Sequence, residues 1–319
     1  MDLRYHHLLS IALLLAGCTG RAPGGGAGAG GSSRETVTVK GSDTMILLGQ
    51  RLAEDFMKAH PELTVQVTGG GSGTGIAALI NGTTDIANAS RPMKESERLQ
   101  VQKRRGLQVV QTPVALDGIA IFVHESSPVR ELSIPQLKRI YLGEVSNWRE
   151  LGGPDLPMVL YGRENSSGTY AYFKERVLDE EDFAPEMQTL PGTAAVVNAV
   201  SQDRKAIGFG GIAFGRGIRD VAVKADDAAE PVLPTEDNVV SGRYPISRPL
   251  FMYTAGEPTG DVKSFIDYAL SPVGQQVAAK VGYYPLPRPA SATGDDRLDS
   301  LPDAGPAPTQ DAPAEVHQP

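Results

Sequence analysis

The chain has 319 residues, a formal net charge of −8 and a single cysteine. This length allows one large domain or two ordinary ones, each with its own hydrophobic core. The acidic balance argues against nucleic acid as a partner, and one cysteine excludes both a disulfide framework and a cysteine-based metal site. We expect no metal and no cofactor.

The beginning of the chain predicts export and a lipid anchor. An apolar run over residues 8–16 follows Arg4 and is too short to span a bilayer, so it has the proportions of a signal peptide. The run leads into small residues and then Cys18, an order that resembles a bacterial lipobox. We therefore predict a signal peptide over 1–17 and a lipidated Cys18 that anchors the mature chain to the cell envelope membrane, facing the periplasm or the exterior. An ordinary secretory signal with an incidental cysteine is the alternative.

Two segments of low complexity flank the body of the chain. Residues 18–34 are rich in glycine, alanine and serine, which predicts a flexible tether. Residues 288–319 are rich in proline, alanine and aspartate without apolar periodicity, which predicts a disordered acidic tail. From Ala290 onward the net charge is −5, so the acidity of the whole chain says little about the ligand of the body.

Short strands alternate with helices along the body, from about residue 35 to 287. Alternating or continuous apolar residues predict strands at 37–39, 63–67, 85–89, 116–123, 159–161, 206–209 and 250–253. Helical spacing of apolar residues predicts helices at 45–60, 76–80, 134–142, 169–178, 194–200, 262–270 and 273–281. This alternation predicts an α/β fold whose sheets are covered by helices on both faces.

Three of the strand-to-helix junctions combine glycine with serine or threonine. They are 41–44 (GSDT), 70–75 (GGSGTG) and 166–169 (SSGT). A helix start exposes unpaired N–H groups and the positive end of the helix dipole, glycine lets a ligand approach the backbone, and each hydroxyl adds a donor. Together they indicate a site for a tetrahedral oxyanion that needs no metal. Taken singly, each junction is equally a capped loop, and 70–75 lacks both the Walker A ending and the dinucleotide spacing.

Two arginines lie beside these junctions. Arg91 follows Ser90 directly after a predicted strand, and Arg163 begins the loop that leads to Ser167, Gly168 and Thr169. A guanidinium group can bind two oxygens of a phosphate at once, and open α/β sheets bind ligands at their strand ends. The alternative for each arginine is a surface position or a pairing with a carboxylate.

Taken together, these motifs resemble the phosphate-binding proteins of bacterial high-affinity phosphate ABC transporters. The resemblance is carried in the expected order, from about residue 36 to 286, by the three junctions and by 89–92 (ASRP), 116–120 (LDGIA), 147–148 (NW), 244–249 (YPISRP) and 270–275 (LSPVGQ). It implies the type II periplasmic-binding-protein fold, in which two α/β lobes are joined by two hinge strands and the anion lies in the cleft between them. We place the first lobe at 35–112 and 249–287, and the second lobe at 113–248.

The resemblance also implies which residues bind phosphate. They are Thr44, the N–H of Met45, Ser72, Ser90, Arg91, Arg163, Ser167, Gly168 and Thr169.

One position departs from the well-known members of the family. They carry an aspartate, which accepts the phosphate proton, where this chain has Arg91, although one branch of the family has arginine there. The change adds positive charge to the cleft and leaves the usual proton-based exclusion of sulfate without its acceptor. Asp43 or Asp117 could supply that acceptor, and either could equally cap a helix or pair with an arginine.

These inferences predict a lipid-anchored, monomeric solute-binding protein that captures inorganic phosphate and delivers it to an ABC transporter permease. A buried anion needs donors on nearly every oxygen, so only closure of both lobes would satisfy it. The alternatives are another oxyanion, such as sulfate, molybdate, arsenate or a phosphonate, and a non-transport surface or signalling lipoprotein on the same fold.

A hydrolase is the alternative from another class, and we do not expect an enzyme. It would use Ser72 or Ser167 as nucleophile and His60 or His124 as base. Neither serine lies in a Gly-x-Ser-x-Gly elbow, and neither histidine lies in a distinctive sequence context.

Overall fold

The structure, a computed structural model, describes residues 36–215 and 217–287. The predicted signal peptide, Cys18, the tether and the acidic tail lie outside the described residues. Within the described ranges, every helix falls short of the length and apolarity that crossing a bilayer requires.

Strands and helices alternate along most of the described chain. The strands are β1 (Thr36–Gly41), β2 (Thr64–Thr68), β3 (Ile86–Ala89), β4 (Val109–Val123), β5 (Glu131–Ser133), β6 (Val159–Arg163), β7 (Gln188–Leu190), β8 (Ala206–Gly211), β9 (Arg219–Lys224) and β10 (Ser247–Ala255). The helices are α1 (Ile46–Ala59), α2 (Ser72–Asn81), α3 (Glu95–Arg105), α4 (Ile134–Tyr141), α5 (Gly168–Val177), α6 (Gly192–Gln202), α7 (Glu236–Val240), α8 (Gly260–Leu270) and α9 (Pro272–Val281).

The strands form two parallel groups connected by a long antiparallel pair. The order along the sheet is β2-β1-β3-β10-β4-β8-β6-β7, and β9 pairs with both β4 and β5. β1 runs parallel to β2 and β3, and β6 runs parallel to β7 and β8. Between the groups, β10 pairs antiparallel with β4 from Ser247 to Ala255, so these two strands carry the chain from one group to the other.

Among the described residues there are four clusters of buried hydrophobic side chains, and the two largest follow this division of the sheet. One core gathers side chains of β1, β2, α1, α8 and α9, and the other gathers side chains of β6, β8, β9, α4 and α5. On β4 the core membership changes between Ala115 and Leu116, and at β10 it changes between Ile246 and Leu250. We call the part around the first core the first half and the part around the second core the second half.

Each predicted strand and helix is present, and most are longer than predicted. α2 begins at Ser72 rather than residue 76, because the glycines of its first turn resemble a loop in sequence. One of them is required by packing, since a Cβ on Gly75 would lie 2.6 Å from the Cα of Gly41 on β1. α3 was not predicted, because a solvated charged helix has no apolar stripe, and Val101 is the only buried residue of this helix. β5, β7 and α7, which have three to five residues each, were not predicted either, and nor was β9, which lies between β4 and β5.

Candidate functional site

Hydroxyl groups from several loops converge where the two halves meet. Thr44 Oγ1, in the turn before α1, lies 2.8 Å from Thr169 Oγ1, in the first turn of α5. Ser42 Oγ donates to Ser90 Oγ over 2.9 Å, and Ser72 Oγ donates to or accepts from Ser90 Oγ at 3.4 Å. All five side chains are at most 3% exposed. The starts of three helices and the end of β3 therefore present five buried hydroxyls, which we call the hydroxyl cluster.

Glycines let the backbones of the two halves approach each other at this place. A Cβ on Gly168, the first residue of α5, would lie 2.7 Å from Ser90 Oγ and nearer still to Ser72 Oγ. A Cβ on Gly71 would lie 2.5 Å from the carbonyl oxygen of Ser166, and the φ of Gly71 is +90°. The N–H of Gly73 donates to the same carbonyl over 2.9 Å. The halves are thus in direct contact around the hydroxyl cluster.

Arg163 ends β6 beside these hydroxyls and is 1% exposed. Its Nη1 donates to Thr193 Oγ1 over 2.9 Å, and its Nη2 donates to Asp43 Oδ2, in the first half, over 3.0 Å. Burial lowers the pKa of Arg163, and the Asp43 carboxylate opposes that change. Its buried Nε has no hydrogen-bond partner among the described residues. An unsatisfied buried donor costs about 1–3 kcal/mol, which an anion oxygen placed there would relieve.

A second buried arginine, Arg248, lies on the β4–β10 strand pair and bonds to residues of the hydroxyl cluster. Arg248 on β10 faces Asp117 on β4, and its Nε and Nη2 donate to Asp117 Oδ2 over 3.0 and 2.8 Å. Its Nη1 donates to the carbonyl of Ser90 over 2.7 Å, and its Nη2 also donates to Thr169 Oγ1 over 2.9 Å. Burial raises the pKa of Asp117, and this effect outweighs the lowering by Arg248 and by the N–H of Ile212.

The charges of these side chains cancel. Arg163 and Arg248 contribute two positive charges, and Asp43 and Asp117 contribute two negative ones. An anion bound here would therefore be stabilised by oriented hydroxyls, N–H groups and helix dipoles rather than by a net positive pocket. In the part of the chain that the structure describes, no group of three or more His, Cys, Asp or Glu side chains could hold a metal ion.

Comparisons with known proteins identify the family. A model of the PBP superfamily domain matches residues 26–273. The phosphate-binding protein PstS of Pseudomonas aeruginosa is 36% identical over 264 residues, which cover 77% of this chain and 82% of that protein. The chain belongs to the PBP superfamily and, within it, to the PstS family. The phosphate-binding protein PstS of Bacillus subtilis is 33% identical over 252 residues, which cover 79% of this chain and 81% of that protein.

Solved structures of similar proteins agree with this membership. A protein from Clostridium perfringens, crystallised with bound phosphate, covers 79% of this chain and all of its own, with 31% identity and a TM-score of 0.71. An ABC-type phosphate transport receptor from Vibrio cholerae covers 78% of this chain with 30% identity and a TM-score of 0.64. The predicted type II periplasmic-binding-protein fold is confirmed, and the PstS family is one of solute-binding proteins rather than of enzymes.

The structure brings most of the predicted ligands of the PstS family together, but not Arg91. The hydroxyls of Thr44, Ser72, Ser90 and Thr169 meet as described above, with Gly168 against them.

The Arg91 guanidinium is bound by the carboxylate of Glu97. It binds both carboxylate oxygens of Glu97, over 2.9 and 2.7 Å, and the carbonyl of Pro92 over 2.8 Å. Although burial raises the pKa of Glu97, the Arg91 guanidinium lowers it below its usual value overall. The positive charge of Arg91 is therefore neutralised by Glu97, and the guanidinium does not bond to the hydroxyl cluster.

Two further predicted ligands have local partners. The N–H of Met45 donates to the carbonyl of Ser42 over 3.0 Å, so it closes the turn before α1. Ser167 Oγ accepts from the N–H groups of Thr169 and Tyr170 over 3.1 and 3.3 Å, so it caps α5. This capping leaves the Ser167 hydroxyl proton to donate elsewhere.

The histidines of the hydrolase alternative lie apart from the serines. His60 Nδ1 contacts Glu62 at 3.3 Å, and His124 Nδ1 lies 2.8 Å from Ser126 Oγ. Neither histidine has a hydrogen bond to Ser72 or Ser167 among the described residues, so the nucleophile–base pair that such an enzyme needs is not formed there.

Arg248 and Thr193 bond to this group of side chains, although neither was predicted as a site residue. Arg248 belongs to the 244–249 motif that carried the resemblance, but no role was predicted for it. A signal was available, because an arginine at the start of a strongly apolar strand must be paired when it is buried. Thr193 is the second residue of α6, after Gly192, and this pattern by itself predicts only a helix start.

Proposed function

We propose that this protein binds inorganic phosphate between its two halves and presents it to the permease of an ABC transporter. The observation that carries the proposal is the meeting of buried hydroxyls from both halves beside Arg163, whose buried Nε lacks a partner among the described residues. The relatives named phosphate-binding protein PstS and the Clostridium perfringens structure with bound phosphate support the choice of anion.

Phosphate would replace contacts that the two halves now make with each other. Thr44, Ser72 and Ser90 would donate from the first half, and Arg163, Ser167 and Thr169 from the second. The Thr44–Thr169 contact of 2.8 Å places two such donors against each other across the boundary between the halves. Each hydrogen bond to a charged group contributes about 1.5–3 kcal/mol, so an anion that satisfies donors of both halves favours the closed form. The two halves would then act as the two lobes, for which the bounds 35–112 with 249–287, and 113–248, stay a prediction.

Asp43 is the better of the two candidates for the acceptor of a phosphate proton. Its side chain is 25% exposed, Oδ1 accepts from the N–H of Gly70 over 2.7 Å and Oδ2 accepts from Arg163 over 3.0 Å. Asp117 is fully buried, and its oxygens accept from the N–H of Ile212 and from two nitrogens of Arg248. Because Asp43 also accepts on both oxygens, its partial exposure is what favours it. An acceptor next to Arg163 would bind hydrogen phosphate and repel sulfate, which carries no proton at neutral pH.

The cellular role completes the proposal. The chain would act outside the cytoplasm as a monomer, held at a membrane by lipidated Cys18 through the tether at 18–34. Labelling with a radioactive fatty acid in the native host tests the anchor, since Cys18→Ser should abolish the label. Labelling that persists in this variant would refute the lipobox.

Calorimetric titration of the purified protein with phosphate and with sulfate, from pH 5 to 9, tests the function. We expect phosphate to bind at least ~10-fold more tightly than sulfate, because an unmatched acceptor costs about 1–3 kcal/mol. Equal affinity for the two anions would mean that the protein binds tetrahedral oxyanions in general and not phosphate in particular. Binding of neither would overturn the proposal.

A further inference from the structure

The Arg248 guanidinium bonds to three separate parts of the molecule. Asp117 belongs to β4, the carbonyl of Ser90 belongs to the end of β3 in the first half, and Thr169 Oγ1 belongs to the start of α5 in the second half. The side chains of Arg248 and Asp117 are both 0% exposed. Arg248 thus lies on the strand pair that connects the halves and holds one group from each of them.

The chemistry of the guanidinium decides which way the Thr169 proton points. Arginine only donates hydrogen bonds, so Thr169 Oγ1 must accept from Arg248 Nη2. The hydroxyl proton of Thr169 is then left to donate to another acceptor, on the side of Thr44. Because the bond from Arg248 is charge-assisted, it also polarises the Thr169 hydroxyl as a donor.

Asp117 keeps the guanidinium in place for this purpose. It accepts from both Nε and Nη2 of Arg248, so the planar group cannot turn away without leaving two charges buried and unpaired. The bond from Nη1 to the Ser90 carbonyl reaches the first half at the residue whose hydroxyl contacts Ser72.

We propose that Arg248 is a positioning residue for anion binding, which orients the Thr169 hydroxyl as a donor and joins the two halves in their closed arrangement. This inference rests on the proposed function, because the anion is the acceptor that the oriented hydroxyl would meet. A merely structural Arg248–Asp117 pair would contribute to stability and leave ligand affinity unchanged. The two roles make different predictions for a variant that keeps the fold.

A double-mutant cycle separates these roles. The variant Asp117→Leu/Arg248→Met removes both buried charges at similar volume, a change that proteins often tolerate. Arg248→Lys keeps a charge beside Asp117 but lacks the fork that reaches Ser90 and Thr169 together, and it serves if the double variant does not fold. Each is made with and without Thr169→Val, the phosphate dissociation constant is measured by calorimetry, and the unfolding midpoint is measured in urea.

We expect either change at Arg248 to weaken phosphate binding by about 10- to 100-fold, as the loss of one charge-assisted hydrogen bond would. Thr169→Val should weaken binding by roughly 10-fold in the otherwise unchanged protein, but by less than about 3-fold in the Arg248 background, because the hydroxyl is no longer oriented there.

Additive effects of the two changes, or an affinity that falls only in proportion to lost stability, would overturn the positioning role while leaving the proposed function intact. Unchanged protein that binds no phosphate would overturn the proposed function, and this inference with it.

Discussion

Gly168→Ala should reduce phosphate affinity without reducing stability. A Cβ at position 168 would lie 2.7 Å from Ser90 Oγ and 3.0 Å from Ser72 Cβ, both of which belong to the other half. Within α5 itself the substitution is tolerated, because Gly168 does not have a positive φ. As Gly168 is the first residue of the helix, alanine gains there at most part of the roughly 0.5–1 kcal/mol that it gains over glycine in a helix interior. The conflict therefore exists only when the two halves are closed against each other.

The size of the effect follows from the contact distances. Ordinary contacts between heavy atoms lie at about 3.5 Å, so the new methyl carbon would be about 0.8 Å too close to Ser90 Oγ. Overpacking of this kind costs about 1–3 kcal/mol. If that cost falls on the closed form alone, the dissociation constant for phosphate rises by roughly 5- to 150-fold, while the free energy of unfolding stays constant or increases slightly.

Calorimetry with phosphate and urea unfolding, carried out on the same preparation, measure the two quantities. Gly73→Ala is the matched control, since its Cβ would lie 3.3 Å from the Ser166 carbonyl, close but without severe overlap. We expect its affinity to change by less than about 3-fold. Phosphate binding by Gly168→Ala within twofold of the unchanged protein would show that the arrangement of Gly168 against Ser72 and Ser90 is not the one that binds the anion.

Four further substitutions test other parts of the site and the fold. Arg163→Met should weaken phosphate binding by at least ~2 kcal/mol, roughly 30-fold, because it removes a buried charge from the anion, whereas Arg91→Gln should change it by less than about 3-fold because the guanidinium is bound by Glu97. Asp43→Asn should narrow the preference for phosphate over sulfate, because an amide can donate to either anion. Burial raises the pKa of Asp220 to about 6, so above that pH the folded protein must hold a buried charge. Asp220→Asn should therefore stabilise the protein at pH 7 by on the order of 2 kcal/mol and have little effect near pH 4.

Each of these has an outcome that contradicts it. Equal losses of affinity in the Arg91 and Arg163 variants, measured by calorimetry, would restore the sequence-based prediction that Arg91 binds the anion. A phosphate-to-sulfate preference that is unchanged in Asp43→Asn would remove Asp43 as the proton acceptor. For Asp220, urea unfolding of both proteins from pH 4 to 8 should show the unchanged protein losing stability relative to the variant as pH rises from about 4 to 7, since the raised pKa favours the protonated folded form. A difference in unfolding free energy between the two proteins that stays constant from pH 4 to 8 would refute the raised pKa of Asp220.

Local chemistry made the order of elements and the anion-binding loops predictable. Apolar periodicity places α1 and β1 within a residue or two of their observed bounds, because each buries one face on a neighbour. Glycine and hydroxyl residues lie at the starts of α1, α2 and α5, as predicted. They can be recognised because the unpaired N–H groups of a helix start are satisfied by residues close by in the sequence. α3 has helix-end signals too, with acidic residues in its first turn, basic residues in its last turn and Gly106 after it, but it lacks the apolar stripe on which the prediction of helices depended.

The partner of each charged group was decided only by the tertiary structure. The sequence shows Arg91 beside a serine and Arg248 inside an apolar strand, but Glu97 takes the first arginine, while the second meets an aspartate that lies 131 positions earlier in the chain. Asp43 and Arg163, 120 positions apart, likewise meet only because the two halves close on each other. Hydrogen-bond donors and helix starts belong to short segments and can be recognised from residue type. The balance of charge around an anion depends on which strands lie side by side, and only the packed sheet determines that.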